Sequence, residues 1–314
     1  MIFNKPKFWD LKKPNLMSYL LLPFTLVVEL NNFIQNLKTS KKNKIIKSVC
    51  VGNIYLGGTG KTPTALEIYK ILKDLSFKVA IGKKFYLSQK DERIILKNNS
   101  NFISSNTRRK ILEKAIKNKY QVIIFDDGLQ NKSIFYDLKI VCFDSQNWIG
   151  NGLIIPSGPL RENISSLKNY DCVIFKDNYQ KNSRVINTIK KINKKIKIFY
   201  SEVKISNLKK INKNKKYLIF SGIGNFGSFK NTLLKRKINI KEEIIFPDHY
   251  NFKEQDIINV KKRAKKIGAK ILTTEKDFVK ISQKQRKGIN LIKINLKIKN
   301  KKSFINFLKS KIYE

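Results

Sequence analysis

Residues 52–63 read Gly-Asn-Ile-Tyr-Leu-Gly-Gly-Thr-Gly-Lys-Thr-Pro, between an apolar run and a helical pattern. Strand, glycine-rich turn, Gly-Lys-Thr and helix form the context in which a P-loop binds phosphates. Glycines let successive backbone N–H groups face phosphate oxygens, and the helix N-terminus adds its dipole. Tyr55 stands where the P-loop consensus has its first glycine. A glycine turn that binds no ligand is the alternative interpretation.

The P-loop assigns a role to each of its positions. We expect Lys61 to reach the β- and γ-phosphates and the Thr62 hydroxyl to bind Mg²⁺. The predicted nucleotide-binding residues are Gly57, Gly58, Thr59, Gly60, Lys61, Thr62 and Pro63.

The composition is strongly basic, with a formal net charge of +43 over 314 residues. A polyanion partner, such as nucleic acid, an anionic membrane or a phosphorylated substrate, is one interpretation. Lysine far outnumbers arginine and is spread along the chain, so we favour compositional drift for most of the charge. Cys50, Cys142 and Cys172 lie in apolar runs without a Cys-x-x-Cys motif, which indicates buried thiols rather than structural zinc or disulfides.

An apolar run near the N-terminus, residues 16–30, is flanked by lysines and interrupted by Pro23. It is shorter than the roughly 20 residues that a spanning helix needs. It also lacks a small-residue cleavage site, which argues against a signal peptide. The pattern is typical of a helix resting on an anionic membrane, and equally of a helix packed on the protein's own core.

Strand-like and helix-like segments alternate from residue 45, which predicts an α/β fold with a mainly parallel sheet covered by helices on both faces. A polar stretch, 206–216, reads as a linker to a second, smaller α/β block. We therefore expect an N-terminal membrane-associating segment (1–44), a P-loop domain (45–204) and a C-terminal domain (205–314). The predicted strands are 46–51, 78–81, 122–125, 139–143, 172–175, 197–200, 217–220, 243–246, 270–273 and 291–294.

Two adjacent carboxylates, Asp126 and Asp127, end an apolar strand and precede Gly-Leu-Gln. A P-loop enzyme holds its Mg²⁺ at this kind of position. Neighbouring residues of an extended chain point to opposite sides, so only one carboxylate is expected to face the metal directly. A strand-ending Asp-Gly turn is the alternative.

Other polar residues are ambiguous when taken singly. Arg161 and Glu162 follow a Pro-Leu pair and form an opposed charge pair, which could equally be a solvated surface pair. The only histidine, His249, lies in a turn beside an acid that could orient it, although a lone histidine is more often structural. Asp91, taken alone, reads as part of a solvated charge cluster or a helix start.

Together these segments resemble the tetraacyldisaccharide 4′-kinase family, the lipid A pathway kinases of Gram-negative bacteria. The resemblance covers nearly the whole chain, and the order and joint presence of its motifs make it specific. The matching segments are 52–53, 57–63, 126–130, 150–152, 159–162, 222–225, 246–250 and 272–277. The family stretch also lacks the first P-loop glycine.

The resemblance implies a lipid kinase that transfers the γ-phosphate of ATP to the 4′-hydroxyl of a tetraacylated glucosamine disaccharide 1-phosphate. By the same resemblance Asp91 would accept the proton of the attacking hydroxyl, His249 would support Asp91, and Arg161 would stabilise phosphate charge. The residues expected around Mg²⁺, directly or through water, are Thr62, Asp126 or Asp127, Gln130 and Glu162.

The resemblance also implies two domains with ATP bound near the cleft. The acyl chains of the substrate stay in the bilayer, which gives the N-terminal helix a use. We therefore expect a peripheral enzyme on the cytoplasmic face of the bacterial inner membrane, with the lipid disaccharide and the anionic membrane surface as partners. We expect no specific nucleic acid and no obligate protein partner.

The chain departs from the family pattern at two places. Residues 82–86, Gly-Lys-Lys-Phe-Tyr, stand where the family has Ser-Arg-Gly-Tyr-Gly, and the loop from there to Asp91 is short. Asn131 stands where the family has a histidine after Asp-Asp-Gly-Leu-Gln. Two other functions remain as alternatives: a P-loop ATPase or kinase acting on a soluble substrate, and a basic nucleic-acid-binding protein.

Overall fold

The computed structural model describes residues 5–38, 40–176, 183–248 and 250–313. Its strands are β1 Lys47–Gly52, β2 Val79–Lys84, β3 Phe102–Ser105, β4 Val122–Asp126, β5 Leu138–Asp144, β6 Cys172–Lys176, β7 Lys197–Ile205, β8 Lys216–Ser221, β9 Asn239–Ile245, β10 Lys270–Thr274, β11 Ile289–Ile292 and β12 Ile294–Ile298. Its α-helices are α1 Leu16–Leu20, α2 Leu22–Leu37, α3 Lys61–Asp74, α4 Lys90–Asn99, α5 Arg108–Lys117, α6 Ser183–Ile192, α7 Phe226–Leu234, α8 Glu254–Lys266, α9 Glu275–Phe278 and α10 Lys301–Tyr313.

The larger of two compact units contains an eight-stranded sheet in the order β12-β7-β6-β5-β1-β4-β2-β3. The prediction of a mainly parallel sheet is confirmed: β1 pairs in parallel with β4 and β5, and β2 pairs in parallel with β4. The central strands β1 and β4 are almost wholly buried, as expected where apolar runs are covered on both faces. The short strand β3 was not predicted, because its four residues are only partly buried and carry no apolar run.

The smaller unit contains a four-stranded sheet in the order β11-β10-β8-β9, with parallel pairings throughout. The stretch predicted as a linker is part of this unit. Asn207 donates a hydrogen bond to the carbonyl of Leu291, and Ile211 is buried. The strand predicted at 291–294 is the end of β11 and the start of β12, which are separated at Lys293.

The two units differ from the linear domains that we expected in three places. Residues 6–44 of the expected N-terminal segment belong to the larger unit. Leu87–Asn98 lies in the smaller unit and Leu296–Glu314 in the larger one. Phe304 of α10 is fully buried and packs edge-on against Phe199 of β7, with ring centroids 4.9 Å apart. The C-terminal segment therefore belongs to the larger unit because the apolar face of α10 packs there.

The N-terminal apolar run forms α1 and α2, which break at Leu21, just before Pro23 near the start of α2. Val28 packs on a core cluster of the larger unit, and the Asn32 amide donates to the carbonyl of Arg161 at 2.8 Å. The α2 helix therefore packs on the protein's own core while much of its apolar surface stays exposed. None of the helices in the described part of the chain combines the length and apolar character needed to span a bilayer.

All three cysteines are buried free thiols, as predicted. Cys142 lies on β5, and burial raises the pKa of its thiol to about 12. These side chains serve as small apolar core residues.

Candidate active site

The glycine-rich turn joins β1 to α3, which begins at Lys61. Gly60 caps this helix with a left-handed φ of 87°. A Cβ atom at Gly60 would lie 3.2 Å from Cδ of Lys176. Both the backbone conformation and the close neighbour therefore favour glycine at this position.

Two buried side chains shape the entry to this turn. Asn53 donates from Nδ2 to the carbonyl oxygens of Tyr55 and, at 3.4 Å, of Gly57. Tyr55 packs in a small core cluster with Leu160, and its hydroxyl donates to the Asp10 carboxylate at 2.5 Å. The position of the missing first glycine is thus a core position of this fold.

The backbone just before the glycines pairs with the segment that carries Arg161. The Leu56 amide donates to the Pro159 carbonyl, and the Arg161 amide donates to the Ile54 carbonyl, both at 2.7 Å. The guanidinium of Arg161 then donates from Nη1 to both oxygens of Asp127, at 3.0 and 3.2 Å. Arg161 is therefore fixed beside the P-loop rather than in a surface pair with its neighbour Glu162.

Asp126 forms a buried cluster with Thr62 and Lys83. Its Oδ2 atom accepts the Thr62 hydroxyl proton at 2.9 Å and contacts the Lys83 ammonium at 2.8 Å. The other oxygen of Asp126 is buried and has no hydrogen-bond partner among the described residues. The predicted P-loop threonine and strand-ending carboxylate are thus in direct contact.

Asp127 contacts a different set of cations, and its backbone lies in the left-handed region rather than in the extended conformation of β4. Its backbone φ is +64°, and its carboxylate lies 3.8 Å from the Lys61 ammonium and against Arg161. Arg108 donates to the Asp127 carbonyl oxygen. A Cβ atom at Gly128 would lie only 2.8 Å from Nε of Arg108. Burial opposes ionisation, but Lys61 and Arg161 outweigh it, and they hold the pKa of Asp127 well below its usual range.

Gln130 and Glu162 form a second network with Tyr170. The Gln130 amide donates to Oε1 of Glu162 at 2.5 Å and to the Asn53 carbonyl at 2.9 Å. The Tyr170 hydroxyl lies 2.9 and 3.0 Å from the two Glu162 oxygens. The carboxylate of Glu162 is therefore held by protein hydrogen bonds. Burial raises the pKa of the Tyr170 hydroxyl, and the charge of Glu162 raises it further.

Asp91 lies in the smaller unit, at the start of α4, where only 2% of its surface is exposed. It is therefore not part of a solvated charge cluster. The next residue, Glu92, pairs with the ammonium of Lys276 on α9. Burial would lower the pKa of Lys276, but Glu92 and Asp91 outweigh it and raise that pKa above its usual value. His249 lies outside the described residues.

The buried Asp277 fixes α9 within the smaller unit. Its Oδ2 atom accepts the Ser221 hydroxyl proton at 2.5 Å and the Thr274 hydroxyl proton at 2.7 Å. These bonds tie the Thr-Thr-Glu-Lys-Asp segment to the end of β8.

Three residues that contact the predicted site had no role assigned from the sequence: Lys83, Arg108 and Tyr170. The parallel register pairs Gly82 with Phe125, which brings the next residues, Lys83 and Asp126, side by side. Such a register is not visible in a single sequence. Within the described ranges, no group of three His, Cys, Asp or Glu side chains is arranged to hold a metal ion.

Comparisons with known proteins agree with this fold. A family model described as tetraacyldisaccharide-1-P 4′-kinase matches residues 16–313. A tetraacyldisaccharide 4′-kinase of Pelagibacter ubique is 43% identical over 98% of both chains, and one of Rickettsia akari is 34% identical over 94% of this chain and 93% of its own. The crystal structure of LpxK from Aquifex aeolicus in complex with ATP has the same fold, with a TM-score of 0.69 and 20% identity, over 95% of this chain and 100% of that one. The chain therefore belongs to the tetraacyldisaccharide-1-phosphate 4′-kinase family.

Proposed function

We propose that the chain transfers the γ-phosphoryl group of ATP to the 4′-hydroxyl of tetraacyldisaccharide 1-phosphate in lipid A biosynthesis. The observation that carries this proposal is the buried hydrogen bond from Thr62 to Asp126, at the start of the helix that follows the P-loop. P-loop kinases use this pairing of a hydroxyl with a strand-ending carboxylate at the metal–phosphate site. The names of the relatives and the ATP complex of Aquifex LpxK support the same activity.

The charges around the P-loop suit a polyphosphate. Three cationic side chains form ion pairs with two carboxylates at this site. Lys83 pairs with Asp126, and Lys61 and Arg161 pair with Asp127. The excess positive charge and the amides of the glycine turn would bind the phosphates of ATP. Arg161 and Lys61 would offset the charge that develops during transfer.

The residues present fit a magnesium ion that arrives with a nucleotide. The Thr62 hydroxyl donates its hydrogen bond to Asp126, which leaves the lone pairs of the hydroxyl oxygen available to a metal. The buried second oxygen of Asp126 has no hydrogen-bond partner among the described residues. Mg²⁺ is commonly held by one or two protein oxygens plus substrate phosphates and water. When bound, it would neutralise phosphate charge. Asp127 and Glu162 would act on it through water, since their carboxylate oxygens already have protein partners. Gln130 would take part through its amide group, whose nitrogen already donates to Glu162.

For the acceptor side we propose Asp91 as the general base, with His249 supporting it. The Asp91 carboxylate would take the proton of the 4′-hydroxyl while the hydroxyl oxygen bonds to the γ-phosphorus and ADP leaves. Burial of Asp91 and the neighbouring Glu92–Lys276 pair support an ordered carboxylate at this position.

We propose that α1 and α2 rest on the anionic cytoplasmic face of the inner membrane, where the acyl chains of the substrate remain. The proposal is supported by large apolar side chains that are more than half exposed, and by the lysines that flank the helices. The exposed apolar residues are Leu16, Met17, Tyr19, Leu20, Phe24, Leu26, Val27, Leu30, Phe33 and Leu37.

Transfer of labelled phosphate from [γ-³²P]ATP to the tetraacyldisaccharide 1-phosphate in mixed micelles tests the proposal. We expect labelled lipid with the native chain and roughly 100- to 1000-fold less with Lys61→Ala, the range for loss of one charge-stabilising group. Lys266→Ala, at an exposed position of α8, is the matched control. Transfer by Lys61→Ala at the native rate would contradict the mechanism, and ATP hydrolysis without labelled lipid would favour a soluble substrate.

The Asp91→Asn variant separates base catalysis from nucleotide binding. We expect kcat to fall by roughly 100- to 10,000-fold, because the amide cannot accept the hydroxyl proton, while KM for ATP stays within about twofold. A native kcat would place the base elsewhere.

A further inference from the structure

Lys83 is one of the three cations around the P-loop, and the proposed transfer assigns no role to its buried contact with Asp126. Only 2% of its surface is exposed, although lysine is among the residues least often buried. Its ammonium lies 2.8 Å from Oδ2 of Asp126, the same oxygen that accepts the Thr62 hydroxyl proton. A protein cation therefore already contacts the carboxylate that a P-loop kinase uses near its metal.

The position of Lys83 follows from the sheet. The β2–β4 register pairs Gly82 with Phe125 and places Lys83 beside Asp126. The next residue, Lys84, is only partly buried, and its ammonium lies 5.1 Å from the centre of the Tyr86 ring. Neighbouring lysines on one strand thus differ in environment, because successive side chains point to opposite faces.

The charge balance at this place disfavours a free divalent cation. Asp126 is met by Lys83, and Asp127 is met by both Lys61 and Arg161. A metal ion arriving alone would meet three nearby positive charges and only one carboxylate oxygen without a described partner. The phosphates of a nucleotide would reverse this balance, because they bring several negative charges together with the metal.

We propose that Lys83 is a built-in counter-ion of Asp126 that prevents the nucleotide-free protein from binding Mg²⁺, so that the metal enters only with the nucleotide. Lys83 is on this account a positioning residue: it holds Asp126, and Asp126 orients the Thr62 hydroxyl. The inference rests on the proposed use of ATP and Mg²⁺.

Titration of nucleotide-free protein with Mn²⁺, with free Mn²⁺ followed by electron paramagnetic resonance, tests this directly. We expect no saturable binding below millimolar Mn²⁺ for the native chain, for Lys83→Arg or for the neighbouring control Lys84→Met. Lys83→Met should bind one Mn²⁺ roughly 10- to 1000-fold more tightly, the range by which one neighbouring charge changes the proton affinity of a carboxylate. Native binding as tight as that of Lys83→Met would overturn the proposal.

Thermal unfolding gives a second readout that does not depend on activity. Without metal, Lys83→Met should melt below the native chain, because Asp126 loses its buried counter-ion. Added Mg²⁺ should raise the melting temperature of Lys83→Met and leave that of the native chain and Lys83→Arg unchanged. Equal responses of all three proteins would show that the role of Lys83 is only structural and would overturn the proposal.

The double variant Lys83→Met/Asp126→Asn covers the case in which Lys83→Met does not fold. It removes both buried charges, so it should fold and bind no Mn²⁺, whereas tight Mn²⁺ binding by it would overturn the proposal. Saturable Mn²⁺ binding by the native chain in the absence of nucleotide would also overturn the proposal. Failure of the proposed function is a separate result, because it appears as absence of labelled lipid and these measurements use neither lipid nor nucleotide.

Discussion

The pair formed by Arg161 and Asp127 is predicted to stabilise the larger unit by about 2 kcal/mol. Two charge-assisted hydrogen bonds, at 3.0 and 3.2 Å, join the side chains, and each such bond contributes about 1.5–3 kcal/mol. The side chains are 24% and 19% exposed, so solvent screens part of this attraction. Removing Arg161 leaves Asp127 with Lys61 at 3.8 Å, which limits the cost of an unpaired carboxylate.

A double-mutant cycle measures this coupling. The variants are Arg161→Met, Asp127→Asn and the double substitution, unfolded with urea without nucleotide. Tryptophan fluorescence follows the relevant part of the molecule, because Trp9 and Trp148 both belong to the larger unit. The two single changes should be non-additive by about 2 kcal/mol in the free energy of unfolding. A coupling below about 0.5 kcal/mol, the usual limit of additivity, would refute the stabilising role of the pair.

The same cycle has a defined dependence on pH. The folded pKa of Asp127 lies below its unfolded value of about 3.9, so its contribution is full above that value and lost as pH falls through the folded pKa. The coupling should therefore be the same at pH 7 and pH 5. A smaller coupling energy at pH 5 than at pH 7 would mean that a group other than Asp127 is responsible for the coupling.

Three further changes have expected outcomes. Gly60→Ala should destabilise the protein by about 1–2 kcal/mol and raise KM for ATP, because φ is +87° and the new Cβ meets a lysine side chain; unchanged urea unfolding would contradict this. Phe24→Glu should weaken binding to anionic vesicles, measured by flotation, at least about tenfold, since burial of one such side chain contributes about 1.5–3 kcal/mol. The control Leu234→Glu, on α7, should leave vesicle binding unchanged. Tyr170→Phe should lower the free energy of unfolding by about 1.5–3 kcal/mol through loss of the bonds to Glu162, and an unchanged value would show that Gln130 alone suffices.

The fold was largely predictable because its strong signals are local. The apolar runs of β1 and β4 need cover on both faces, and Gly-Lys-Thr marks where the chain turns from strand to helix. The short β3 carries no such signal. The return of α10 to the larger unit depends on Phe304 packing against Phe199, a contact across more than 100 residues that no local pattern contains.

The site was predictable in its residue types and less so in its pairings. Thr62 was expected near Asp126 or Asp127, and it donates a hydrogen bond to Asp126. Lys83 had no assigned role, because its partner is set by the register between two strands. A solvated pair of adjacent Arg161 and Glu162 was one of two open alternatives. It does not form, since backbone pairing with the start of the P-loop directs the arginine to Asp127. The roles of Asp91 and His249 remain predictions.

The position of the new phosphate on the lipid product is the most direct test of transfer from ATP to the 4′-hydroxyl. Purified product from ATP and tetraacyldisaccharide 1-phosphate can be analysed by phosphorus–proton correlation NMR. We expect a second phosphomonoester coupled to the proton at carbon 4′, and its formation should depend on Lys61. Phosphate on another hydroxyl, or consumption of ATP with the lipid unchanged, would contradict it.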